Sequence, residues 1–194
     1  MFLKYKMLPA ARKFHENKDR IRILTGEETT GKTHAAIYEA CFLAPMYLFG
    51  KYGFRETRWL FGRQNYCDVL NCLIPAVKNI VEKSGTFDAL RTEMVINFQN
   101  GIESRIFFTG FNMGNCNIRS LSLTGYFIDN SEEVDESIKQ ILRRRIIYYP
   151  KRSNFGGFGI EVTTQTNESE GFSIFKMGNH ENQENLPSSY TEKL

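Results

Sequence analysis

Apolar positions along this chain switch between two periods, and the switches mark out the elements. Residues 20–26 (RIRILTG) form a short β-rich run with Ile21, Ile23 and Leu24 apolar, closed by a glycine. From residue 32 to about 50, Ala35, Ala36, Ala40, Leu43 and Met46 recur near helical spacing, and Pro45 predicts that this helix kinks or ends early. The unit then repeats: residues 58–63 (RWLFGR) read as a strand and residues 65 to about 83 as a helix, interrupted by Pro75 in the same way. Residues 93–110 predict two strands around Gln99, Asn100 and Gly101, because Asn-Gly is a strong hairpin signal. Residues 123–130 (LTGYFIDN) are an apolar run with an acidic end, the pattern of a buried parallel strand. Residues 134 to about 147 are amphipathic, and residues 158–166 (FGIEVTTQT) read as a last strand. Strands alternating with helices predict an α/β fold with a central, mostly parallel sheet flanked by helices. The polar stretch 179–194 reads as a linker or arm, leaving residues 1–178 as one domain.

Composition supports this and adds exclusions. Of 194 residues, 41% are apolar and 13% aromatic, enough to bury a sizeable core, so disorder is excluded as the dominant state. The net charge of +3 is too small to mark a nucleic-acid binder on its own. Cys41, Cys67, Cys72 and Cys116 form no CxxC pair and no zinc-like grouping with the histidines, the pattern of a reduced cytosolic chain. The N-terminal stretch MFLKYKMLPAARKF has neither an apolar signal core nor a cleavage pattern, and no stretch approaches membrane-spanning length.

The strongest chemical signal is Gly26, Glu27, Glu28, Thr29, Thr30, Gly31, Lys32 and Thr33, a full match to GxxxxGK[ST] between a predicted strand and a predicted helix. In such a loop the glycines turn backbone N–H groups onto phosphate oxygens. The lysine reaches the β and γ phosphates, and the threonine hydroxyl ligates Mg²⁺. Glu27 and Glu28 add negative charge where a phosphate site favours neutral or basic residues.

Phosphoryl chemistry also needs a carboxylate to support the metal, and Asp129 supplies one at the end of an apolar strand. A hydrolase usually carries Glu directly after that Asp; here the residue is Asn130, and the nearest carboxylates are Glu132 and Glu133, which otherwise read as an acidic helix start. Thr163 to Thr166 and Asn167 end the last strand in hydroxyl and amide groups, either beside the phosphates or as an ordinary strand exit. Arg143, Arg144 and Arg145 read as a solvated helix face or as a contact to DNA or another subunit. Arg119 is either a surface residue or a finger reaching a neighbour's γ-phosphate. Trp59 reads as core.

Taken in order, these residues resemble the N-terminal ATPase domain of the large terminase subunit of tailed bacteriophages. The likeness includes the basic lead-in from Lys18 to the phosphate loop, the RWLFGRQN strand ending in Arg63, and the approach from Asn117 to Asp129. It continues through the Ser131 to Val134 and Arg143 to Arg145 segments, and through Thr166 and Asn167 before an aromatic-rich segment expected to be a helix. Residues 181–194 are similar to the segment leading out of that domain. The resemblance implies a P-loop NTPase of the additional-strand, catalytic-glutamate type that binds ATP and Mg²⁺. Lys32 and Thr33 would hold phosphate and metal, Asp129 would support the metal, Arg119 would act in a neighbouring subunit, and Asn167 would couple nucleotide state to movement. The implied work is packaging of double-stranded DNA into a procapsid, with a portal protein, a small terminase subunit and a ring of copies of itself as partners. The implied location is the cytoplasm of an infected bacterium, transiently at the portal and away from any membrane. A nuclease domain would follow in that family, so the chain reads as a fragment, a split gene product or a degenerate relative. Two alternatives stand beside this reading: a small-molecule P-loop kinase with an arginine lid, and a nucleotide-binding module with weak or no turnover because Asn130 replaces Glu.

Overall fold

The C-terminal ends of parallel strands gather at one rim of a sheet, and this chain places its chemistry there. The computed structural model describes residues 7–113, 118–146, 149, 155–164 and 172–176. Their strands are β1 (Ile21–Gly26), β2 (Glu56–Arg63), β3 (Gly85–Asp88), β4 (Glu93–Asn97), β5 (Glu103–Gly110), β6 (Gly125–Ile128), β7 (Phe158–Thr163) and β8 (Phe172–Lys176), in the spatial order β3-β4-β5-β2-β6-β7-β1-β8. The five central strands, from β5 to β1, pair in parallel; β3, β4 and β8 are antiparallel additions at the edges. The last strand anticipated from the sequence, β7, separates β1 from β6 and pairs with both.

Helices cover the two faces, as side-chain alternation requires. On one face Leu24, Trp59, Phe61, Phe127 and Ile160 pack with residues of α1 (Pro9–Glu16), α2 (Lys32–Tyr38), α3 (Ala44–Tyr52) and α5 (Ile74–Val81). On the other, Leu60, Tyr126 and Ile128 pack with Ile138 and Leu142 of α6 (Glu136–Arg145). Trp59 is fully buried, as its strand position predicts.

Both prolines depart from expectation. The helix through Pro45 continues to Tyr52, and the helix that opens with α4 (Tyr66–Asp68) passes Pro75 and reaches Val81. A wide π turn precedes each proline, Glu39–Leu43 and Val69–Leu73, in which the N–H groups of Ala44 and Ile74 donate to carbonyls five residues back, at Glu39 and Val69. A proline ring clashes with the carbonyl four residues earlier in a regular α-helix, so widening that turn lets the helix run on. The aromatic-rich segment after Asn167 is also corrected: Phe172–Lys176 is a strand, not a helix, and hydrogen-bonds the otherwise open edge of β1. β3 and α1 were not anticipated; each is short, and neither carries a long apolar period.

Aromatic rings lie over glycines across the parallel pairs. Trp59 and Gly125 are register partners of β2 and β6, and a methyl group on Gly125 would stand 2.5 Å from the Trp59 ring. Gly125→Ala is therefore expected to lower unfolding stability by about 1–3 kcal/mol, the cost of overpacking a fully buried ring, read from urea denaturation.

One charged cluster sits inside the first face. Arg22 of β1 and Glu39 of the first π turn are both completely buried and joined by a 3.0 Å contact. His15 Nδ1 lies 2.9 Å from the other Glu39 oxygen, Lys18 approaches at 3.3 Å, and the Arg22 guanidinium lies over the rings of Phe14 and Phe158. Burial alone would push the Glu39 carboxyl up; His15, Arg22 and Lys18 outweigh it and hold that carboxyl below its ordinary 4.5.

Candidate nucleotide-binding site

The loop between β1 and α2 turns on itself through left-handed residues. Thr29 has φ 64° and Gly31 has φ 86°, and Gly31 caps α2 at its N-terminus. A side chain at Gly31 would be strained in this conformation, which is why the motif needs glycine there. Lys32 is 5% exposed, and its ammonium donates to the carbonyl oxygens of Gly26 (2.7 Å) and Glu27 and to the Thr30 hydroxyl. Burial lowers the Lys32 pKa below 10.5, opposed by Asp129, Glu132, Glu28 and Glu27. Glu27 and Glu28 are exposed.

The two halves of the expected site meet. Asp129, directly after β6 and 1% exposed, accepts a 2.7 Å hydrogen bond at Oδ1 from the Thr33 hydroxyl. Its Oδ2 accepts from Nε of Arg63, the last residue of β2, at 2.8 Å, and also from Arg63 Nη2. The Asp129 N–H donates to the Gly62 carbonyl at 3.0 Å, which fixes the two strand ends against each other. Around these groups lies a cavity of about 540 Å³, lined by the loop from Glu28 to Thr33 and by Arg63, Asn130 and Thr164, with His34, Ile37, Ala76, Asn79 and Ile80 along its helical wall.

Asn130 takes the left-handed conformation (φ 54°, ψ 56°), which asparagine tolerates better than other non-glycine residues. Glu132 does not line the cavity. Its Oε1 accepts from the Thr164 N–H at 3.0 Å and from the Thr164 hydroxyl, and these bonds, with Thr163, outweigh partial burial and lower its pKa. Glu133 is exposed and also outside the lining. Arg119 is exposed on the turn Ile118–Ser120, away from the cavity. Asn167 lies outside the described residues. Arg143 is not part of a solvated face: it is 18% exposed and donates to Glu161 at 2.9 Å and to Glu136 at 2.6 Å, while Tyr126 donates to the same Glu161 oxygen at 2.7 Å. The reason is the buried Glu161 on β7, whose charge needs partners.

No protein-family model matches the sequence, and no curated protein does. Solved structures do match. The large terminase of a thermophilic bacteriophage superposes with a TM-score of 0.66 over 82% of this chain, at 14% identity. The large terminase ATPase domain of Thermus phage P74-26 gives 0.59 over 86% of this chain and 68% of its own, also at 14% identity. The fold is that of a large terminase ATPase domain. The first of these terminases, in complex with ADP, matches with a TM-score of 0.57 at 17% identity, over 77% of this chain and 34% of that one. In the first match the chain covers 39% of that terminase's own length.

On this terminase fold, Arg63 is the site residue that motif reading left out. The only signal available was a strand ending in a basic residue, and nothing local says that its neighbour is an aspartate 66 residues on. The Thr33 hydroxyl and Asp129 carboxylate are hard oxygen donors of the kind Mg²⁺ takes. No cluster of three metal-binding side chains occurs among the described residues, so an ion here would depend on phosphate oxygens and water as well.

Proposed function

We propose that this chain binds ATP with Mg²⁺ and is the ATPase domain of a phage DNA-packaging motor. The observation that carries the reading is the 2.7 Å hydrogen bond from Thr33 to Asp129, which joins the phosphate-loop hydroxyl to the acidic strand end. Lys32 would neutralise the β and γ phosphates, Thr33 and Asp129 would hold the metal, and loop N–H groups would cradle the phosphates. Bound Mg²⁺ would supply charge neutralisation on the transferred phosphoryl group. The position of β7 between β1 and β6 supports the additional-strand, catalytic-glutamate subtype. The partners proposed with this reading are double-stranded DNA, a portal protein, a small terminase subunit and copies of the chain in a ring, in the cytoplasm of an infected bacterium. Exposed Arg119 would serve a neighbouring subunit's nucleotide.

A second reading, nucleotide binding with little turnover, is favoured by a specific observation: Asn130 lines the cavity while Glu132 is tied to Thr164. An amide can orient water but cannot accept its proton, and a positioned general base contributes about 10²–10⁴-fold. Affinity and turnover measured separately on the chain decide between the two. Saturable MgATP binding is expected, and its absence at millimolar nucleotide overturns both readings. Asn130→Glu is expected to raise turnover by at least about tenfold, despite a left-handed position that costs a longer side chain about 1–2 kcal/mol. Fast native turnover that collapses in Glu132→Gln or Glu133→Gln would instead assign the base to those residues.

A further inference from the structure

We infer that Arg63 is the residue through which this site tells a nucleoside triphosphate from a diphosphate. The inference rests on the nucleotide-binding reading and adds a residue to it. Thr33 and Arg63 hold opposite oxygens of one carboxylate, so Arg63 stands across Asp129 from the phosphate loop. In the nucleotide-binding reading the loop and Lys32 would hold the phosphates at the helix N-terminus, and the cavity they share with Arg63 would take the terminal phosphate.

Arg63 has donors to spare for it. Nε and Nη2 face Asp129, Arg63 is among the residues lining the cavity, and its side chain is 19% exposed. A planar fork can keep one edge on a carboxylate and present its other N–H groups to a phosphate, which a lysine cannot do. Charge points the same way. Among the described lining residues, Lys32 and Arg63 are the lysine and the arginine. Glu28 on the rim repels phosphate, so the added charge of a third phosphate needs a second cation.

The Gly62 carbonyl bonded to the Asp129 N–H holds the end of β2 in place. Arg63 thus stands ready on a strand and does not have to be ordered from a loop.

The test is calorimetric titration of the whole 194-residue chain with ADP and with ATP-γ-S, both with Mg²⁺, for wild type, Arg63→Gln and Arg63→Lys. Loss of one charge-assisted contact predicts that Arg63→Gln weakens ATP-γ-S at least about tenfold while ADP moves less than about threefold. Arg63→Lys, which keeps the charge and loses the fork, is expected between wild type and Arg63→Gln. Melting without nucleotide checks the fold; should Arg63→Gln fail to fold, Arg63→Lys carries the test, and an unchanged ratio of the two affinities overturns the proposal. Equal losses for both nucleotides in Arg63→Gln, or no loss, also overturn it and leave the nucleotide site standing. A wild type that binds neither nucleotide removes the site and this role together.

Discussion

Lys32→Ala is expected to weaken both ADP and ATP-γ-S, by at least about a hundredfold for the triphosphate and about tenfold or more for ADP, since each charge-assisted contact to phosphate is worth about 1.5–3 kcal/mol and this lysine serves the β and γ phosphates. The environment makes the effect large. Lys32 is buried beneath its own loop, where its ammonium gathers the carbonyls of Gly26 and Glu27. Alanine removes the charge and leaves those carbonyls without their donor, so the loop loses both its cation and its internal tie. Calorimetry reads the affinities, and melting without ligand separates this from misfolding. A variant that binds like wild type sinks the phosphate-loop assignment, whereas the selective loss expected at Arg63 leaves ADP nearly untouched.

Glu39→Ala is expected to cost about 3–5 kcal/mol of unfolding stability, the penalty for leaving a buried cation without its partner. Arg22 is 0% exposed, and Glu39 is its one carboxylate contact among the described ion pairs. The same cluster sets an acid limb. Because the folded carboxyl titrates below its ordinary 4.5, its stabilisation is complete above that value and is lost as pH falls through the folded value. Glu39→Gln keeps the shape without the titration, so its stability is expected to change less than wild type across that acid range. Urea denaturation at neutral and acid pH measures both, and parallel pH curves for wild type and Glu39→Gln would remove Glu39 from the acid response.

Period and punctuation carried much of the architecture. The runs ending at Gly26, Arg63 and Ile128 are buried parallel strands, and the Asn100-Gly101 turn does join two antiparallel strands, with Gly101 at φ 75°. The π turns were not legible, because a proline's clash with the preceding turn can either end a helix or widen that turn, and the local sequence does not say which. The positions of the GxxxxGK[ST] loop and of Asp129 at strand ends were legible because each belongs to a short pattern tied to its own strand. Arg63, Glu132 and Arg143 could not, since each takes its role from a residue on another element: Asp129, Thr164 and Glu161. A charge looks solvated in a sequence until its buried counter-charge is known.

The intervening strand β7 has a consequence for how this protein comes to fold. Thr33 and Asp129 are 96 residues apart along the chain, and β1 reaches β6 only across β7, which is later in sequence than either. Parallel pairings of this kind close long loops before they return any energy, which makes them late and slow. A nascent chain that has made only its first 130 residues therefore carries the whole GxxxxGK[ST] segment and its aspartate without the strand that sets their spacing. Nucleotide, by selecting the finished arrangement, would stabilise the sheet as a whole by mass action, and binding of a fluorescently labelled nucleotide analogue would report on the last step of folding.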